Sequence, residues 1–92
     1  MNKEAKRIER YFKGVANHWR IAILWEIEKY PEINVEDIAN NLNANFKTIS
    51  EHIRRLALSG LVDKKYKGKF VIHKLSPYGK RFIKFTKTFL HS

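Results

Sequence analysis

The chain has 92 residues, of which 43% are hydrophobic and 13% aromatic, with no cysteine and a formal net charge of +10. That is enough apolar material for one domain with one modest core, and too much for a disordered tail. The lack of cysteine excludes a disulfide framework and any thiolate metal site or nucleophile. The longest apolar run, Ile21 to Trp25, is too short to span a bilayer, and Met1-Asn2-Lys3-Glu4-Ala5-Lys6 leads into nothing like a signal peptide.

The charge is unevenly placed. Residues 1–52 carry eight Lys/Arg and eight Asp/Glu, whereas residues 53–92 carry eleven Lys/Arg and the single acid Asp63. The whole excess therefore sits in the last forty residues. Such asymmetry points to a polyanionic partner, nucleic acid first and anionic membrane second. The plain alternative is a generally basic, soluble surface.

Lys3 to Val15 place Ile8, Tyr11, Phe12 and Val15 at helical spacing, with Gly14 expected to end or loosen that helix. A second helix is predicted from His18 to Lys29, with Asn17 as N-cap. It is apolar around most of its circumference, as a central helix contacted on several sides would be. Tyr30-Pro31 stops it, because the residue before proline avoids the helical region. Asn34 caps a third helix whose first turn holds Glu36 and Asp37, where the helix dipole favours negative charge. Val35, Ile38, Ala39 and Leu42 form its apolar face. Asn43-Ala44-Asn45 reads as a short turn, with Asn43 tolerant of the left-handed conformation and Asn45 capping the next helix.

The fourth helix is predicted from Phe46 to Ser59, with Gly60 as the residue that ends it. Ile49, Ile53 and Leu56 make its inner stripe. Lys47, Glu51, Arg54, Arg55 and Leu58 lie opposite, with Thr48 and Ser50 on the flanks. Leu61 to Lys65 and Lys69 to Leu75 then read as two strands joined by a turn at Lys67-Gly68. Phe70, Ile72 and Lys74 fall on one face; Val71, His73 and Leu75 fall on the other. Ser76-Pro77 opens a last helix with proline at the first helical position. In it Tyr78, Phe82, Phe85 and Phe89 form a stripe, widened by Ile83, Thr86 and Leu90.

Two short amphipathic helices, a tight turn and a lysine-studded hairpin give the layout of a winged helix-turn-helix domain. The expected fold class is mainly α with a small β-hairpin (α+β): about five helices plus a two-stranded wing, as a single DNA-binding domain over residues 1–92. A recognition helix needs an apolar anchor and a polar or basic outer face near its N-terminus. Asn45, Phe46, Lys47, Thr48, Ser50, Glu51, Arg54 and Arg55 are the candidates for that face. Phe46 either packs at the helix start, the preferred reading, or touches a thymine methyl. Glu51 would repel phosphate, so it either accepts from cytosine N4 or pairs with Arg54 or Arg55. Lys64, Lys65, Lys67 and Lys69 are the wing candidates for phosphate contact. An ordinary helical hairpin with a solvated basic turn would share each of these features taken singly.

The run Leu42-Asn43-Ala44-Asn45-Phe46-Lys47-Thr48-Ile49-Ser50-Glu51-His52-Ile53-Arg54-Arg55-Leu56, followed by Ser59-Gly60-Leu61-Val62, resembles the core of ArsR-type winged helix-turn-helix transcriptional regulators. Asn17-His18-Trp19-Arg20-Ile21-Ala22-Ile23-Leu24 is similar to the start of that family's second helix. Ser76-Pro77-Tyr78-Gly79 resembles the opening of the last helix in ArsR- and MarR-like proteins. The resemblance covers roughly residues 15–80. It implies a homodimer built from residues 1–15 and 77–92, in which Ile8, Tyr11, Phe12 and Val15 meet Tyr78, Phe82, Phe85 and Phe89. Packing of the last helix on its own core is the alternative.

Two departures from the resemblance matter. The cysteine motif of metal-sensing members is absent from the third helix, which reads Val35-Glu36-Asp37-Ile38-Ala39. The last helix offers only His91 and no acid, so metal sensing at those positions is not expected. His52 matches a histidine that is usually structural there, and His18, His52, His73 and His91 are too scattered for ligand spacing. No metal and no cofactor are expected. No nucleophile elbow, glycine-rich phosphate loop or carboxylate pair argues for catalysis.

The sequence thus reads as a sequence-specific regulator of transcription that binds double-stranded DNA as a homodimer, most simply as a repressor. It would act in the cytoplasm on the nucleoid, with no membrane partner and with any small-molecule effector unassigned. Two other readings stay open: a winged-helix protein-interaction module, and a non-specific architectural or RNA-binding protein.

Overall fold

A computed structural model describes residues 2–91. Met1 and Ser92, the two ends of the expected domain, lie outside the described residues. The elements follow in the order α1 (Lys3–Val15), α2 (His18–Lys29), α3 (Val35–Asn41), α4 (Phe46–Leu58), β1 (Val62–Lys67), β2 (Phe70–Leu75) and α5 (Pro77–His91).

Asparagine starts four of the five helices. Asn2, Asn17, Asn34 and Asn45 are all extended, and each side-chain oxygen accepts a backbone N–H of the first turn, at 2.7–2.8 Å for the shortest bond. Each such cap contributes about 1 kcal/mol relative to alanine. α5 uses Ser76 instead. Its Oγ accepts from Gly79 N at 3.0 Å and donates to Gly60 O at 2.6 Å, tying the start of α5 to the end of α4.

α2 runs through the middle, as its apolar circumference requires. Ile23, Leu24 and Ile27 are buried against Ile38 and Ala39 of α3, Ile49, Ile53 and Leu56 of α4, then Leu61, Val62 and Ile83. The turn between α3 and α4 takes the left-handed residue expected at Asn43, with φ +52°, and closes with an Ala44 N to Ala39 O bond of 2.9 Å.

α4 stops at Leu58, one residue before the expected end, with Ser59 as C-cap. Leu61 N bonds Leu56 O at 3.0 Å and Gly60 N bonds Ala57 O at 3.1 Å. This pair of bonds is a Schellman stop, and it requires the positive φ of +82° that Gly60 supplies. Gly14 does not end α1, which continues to Val15. A Cβ at Gly14 would lie 2.4 Å from Ser59 Oγ, so the glycine serves the close approach of α1 to the end of α4.

The hairpin turn is centred one residue later than expected. Lys67 pairs with Phe70, which leaves Gly68-Lys69 as a two-residue loop with Gly68 at φ +60°. A II′ turn places glycine first of its two central residues, and that rule sets the register. Burial along β2 does not follow its alternating faces. Asn34 bridges the free edge of β2 at Ile72, and both Ile72 and its neighbour His73 are buried, while Phe70 near the tip is exposed.

Candidate nucleic-acid interface

α4 is held from below by Ile49, Ile53 and Leu56, all buried. On its outer side Lys47, Thr48, Glu51, Arg54, Arg55 and Leu58 are exposed, and Ser50 is partly buried. Asn45 spends its side-chain oxygen on the cap, accepting from Lys47 N at 2.8 Å and Thr48 N at 3.3 Å. Phe46 does not pack away as preferred from sequence. It is 55% exposed, because the first turn of α4 lies beyond the apolar bed that seats Ile49.

Glu51 is engaged within the helix. Arg54 Nε and Nη2 donate to its two oxygens at 2.9 and 2.6 Å, and Arg55 Nε lies 3.4 Å away. The bond from Arg54, aided by the charges of both arginines, holds the Glu51 carboxyl down at about 2. The trio therefore carries a net charge of one positive unit at neutral pH, spread along the exposed face.

Sequence reasoning missed Arg20. From α2 its Nε donates to Gly14 O at 2.6 Å, and its Nη1 lies 3.2 Å from His52 Nδ1. A guanidinium can only donate, so His52 accepts there and keeps its proton on Nε2. Burial, then the charges of Arg20 and Arg55, lower the His52 pKa. Nothing in local spacing links residues 20 and 52. The one local signal was a charge next to the apolar run Ile21–Trp25.

The wing meets the other flank of α4. Lys64, Val71 and His73 line a cleft with Ser50, Ile53 and Arg54. Lys64 Nζ sits 5.3 Å from the centre of the Tyr66 ring. Lys65 and Lys69 are exposed and in no ion pair among the described residues. Lys67 differs: it is paired with Glu32 in the α2–α3 connection, and that hydrogen bond lowers the Glu32 pKa. His73 is only 8% exposed, and its Nδ1 has no partner.

The residues expected at a dimer interface fall into three groups. Ile8, Phe12, Phe85 and Phe89 are exposed; Tyr11, Tyr78 and Phe82 are partly buried against the core. Val15 is 3% exposed and lies wholly within its own core. Tyr11 stacks on Tyr78 with ring centres 4.6 Å apart, closing α1 against α5. Together α1 and α5 enclose an apolar groove of about 390 Å³.

Among the described residues no cluster of three or more His, Asp or Glu is placed to hold a metal ion, and no helix is long and apolar enough to cross a membrane.

A model of the MarR family matches residues 17–67, from the cap of α2 to the end of β1. In structure the chain is similar to HlyU from Vibrio cholerae, at 24% identity and TM-score 0.85, covering 97% of each chain. It is similar to the homodimeric winged helix-turn-helix DNA-binding domain of Mb0332 from Mycobacterium bovis, a possible ArsR-family transcriptional regulator. There the identity is 23% and the TM-score 0.85, with 98% of this chain and 86% of that one covered. NolR from Sinorhizobium fredii aligns at 21% identity and TM-score 0.81, over 97% of this chain and 88% of that one. No curated protein sequence matches. The family match covers more than half of the chain, including both helices of the helix-turn-helix and the first wing strand: the chain belongs to the MarR family, with the winged helix-turn-helix fold of ArsR- and MarR-type transcriptional regulators.

Proposed function

We propose that this protein is a sequence-specific repressor of transcription that binds duplex DNA as a homodimer and catalyses no reaction. The outer face of α4 carries the reading. A capped helix, anchored by three buried aliphatic residues, holds Lys47, Thr48 and Arg54 in solvent, and the wing brings Lys64 to the cleft that Arg54 lines and carries Lys65 and Lys69 exposed.

In this reading α4 enters the major groove and the wing lies along the adjacent backbone. Lys47 and Thr48, in the first turn of α4, reach base edges, with Lys47 suited to guanine O6 and N7. Arg54 reaches a base only by leaving Glu51. An exposed ion pair contributes about 1 kcal/mol at most, whereas a bidentate arginine–guanine contact discriminates by about 1–3 kcal/mol. The exchange is therefore favourable at a cognate base and unrewarded elsewhere, so Glu51 suppresses indiscriminate binding. The wing lysines add affinity for any sequence.

The dimer forms through residues 1–15 and 77–92, where Ile8, Phe12, Phe85 and Phe89 leave apolar surface in the monomer. A two-fold pair of recognition helices sets half-sites about 34 Å apart, on near-palindromic DNA. Occlusion of polymerase then gives repression, and a duplex partner places the protein on the nucleoid in the cytoplasm.

Selection of bound duplexes from a random pool, with sedimentation in the same buffer, tests this. Enrichment of an inverted repeat by a dimer is expected. A monomer that enriches no sequence would sink the reading.

A further inference from the structure

Beside the reading face lies a second cationic feature, which shares only Arg55 with the recognition candidates of α4 and nothing with the wing. Arg10, Lys13 and Gly14 of α1, Arg20 of α2, and Arg55 and Ser59 at the end of α4 line a cleft of about 290 Å³. No acidic residue lines it. Lys13 has a carboxylate partner in Glu9 at 3.6 Å, and Arg55 has Glu51 at 3.4 Å. Arg10 and Arg20 are in no ion pair among the described residues.

The cleft is built rather than incidental. Gly14 lets α1 press onto Ser59, which brings the two helix ends together. Arg20 is fixed by its bond to Gly14 O, the C-terminal carbonyl end of α1. Arg55 lines the same cleft, and burial first, then the charge of Arg55, lowers the Arg20 pKa. Four cationic side chains thus line one concave site, and two of them, Arg10 and Arg20, are in no ion pair among the described residues. Guanidinium groups present several N–H donors in a fixed plane and suit multi-oxygen anions, phosphate above all.

We infer that the cleft formed by Arg10, Lys13, Arg20 and Arg55 binds a phosphate group, supplied either by the DNA backbone beside the recognition helix or by a free phosphorylated compound. The DNA arm rests on the function proposed above, and the free-phosphate arm does not.

The test compares the full chain with the double variant Arg10→Gln/Lys13→Gln, in two titrations. Both side chains are exposed and neither is in the core, so the variant keeps the fold. The charge-preserving Arg10→Lys/Lys13→Arg variant serves as the control and retains binding. The first titration adds pyrophosphate and follows the Arg20 Nε–H and Gly14 and Ser59 amide resonances. The second measures random-duplex affinity against salt, where each lost phosphate contact lowers the slope of log K on log[salt] by about 0.9.

A slope reduced by about 1 in the Gln variant identifies DNA backbone as the source. An unchanged slope, with saturable pyrophosphate shifts in the parent that weaken tenfold or more in the variant, identifies a free phosphate compound. The inference is overturned if the slope is unchanged and pyrophosphate either leaves these resonances unmoved or binds both proteins alike. If the parent binds no duplex at all, the regulator reading fails, while the pyrophosphate titration still decides the cleft.

Discussion

Glu51 and Arg54 face each other one turn apart on the exposed side of α4, joined at two points by bonds of 2.9 and 2.6 Å. The pair occupies the surface that would enter the groove, so duplex binding must either carry it in intact or open it. Glu51→Gln removes the charge while keeping the shape. The expected result is tighter binding to random duplex by several-fold at about 0.1 M salt, a steeper salt dependence, and a smaller ratio of specific to non-specific affinity. Because the carboxyl is held at about 2, acidification from pH 8 to pH 4 leaves it ionised and does not mimic the variant. Unaltered random-duplex affinity in Glu51→Gln would remove the gating role.

The two flanks of α4 carry different information, and substitution separates them. Lys64→Gln with Lys65→Gln should weaken binding to every sequence and lower the salt slope by about 1.8, two contacts at about 0.9 each. Lys47→Ala or Thr48→Ala should instead shift preference at one base pair by about 1–3 kcal/mol and leave the random-duplex slope nearly fixed. Lys67→Gln should lower the slope least among the wing lysines, since Lys67 is already neutralised by Glu32. Competition binding with a selected duplex and its single-base variants measures all of these. A Lys67 effect as large as that of Lys64 would show that the Glu32 pair opens on DNA.

Phe89 and Val15 belonged to one expected interface, and their burial now parts them. Phe89 is 73% exposed, so Phe89→Glu should dissociate the proposed dimer at micromolar concentration with little change in monomer stability. Val15 lies in the core, so Val15→Ala should destabilise the fold by on the order of 1–3 kcal/mol. Sedimentation and urea unfolding of both variants check the contrast. If Phe89→Glu sediments like the parent dimer, α5 is not where the copies meet.

Much of this could be read from the chain because the deciding interactions are local. Asn17 just ahead of an apolar run marks the start of α2 and Tyr30-Pro31 marks its stop, so α2 begins and ends at the expected residues. The Ile49/Ile53/Leu56 stripe identifies the buried side of α4, and hence its outer face. What escaped depends on approach between distant segments. Gly14 looks like a breaker until Ser59 is placed against it. Lys67 looks like a free wing charge until Glu32, 35 positions away, is brought beside it. Arg20 and His52 share no pattern until α2 and α4 pack. The turn slipped by one residue because either Lys67-Gly68 or Gly68-Lys69 satisfies composition, and only the pairing of Lys67 with Phe70 decides.

His73 predicts how stability depends on pH. It sits between the cleft lined by Lys64 and Arg54 and the one lined by Glu28, Glu32, Lys74 and Lys80. Burial first, and the charge of Lys64 second, push its pKa below the usual histidine value. The unfolded chain, with an ordinary pKa of about 6.5, then binds more protons than the folded one as pH falls through that value. Stability contributed by neutral His73 is therefore fully present above about pH 6.5 and is lost as pH falls toward the folded pKa. His52, also shifted down, acts in the same direction. The urea midpoint should hold from pH 8 down toward pH 7 and drop as pH falls below about 6.5. His73→Leu removes a buried nitrogen that has no partner, so it should keep or raise the midpoint at pH 7 and shrink the acidic drop. A drop of the same size in His73→Leu would assign the acid sensitivity to His52 alone, which His52→Gln would then abolish.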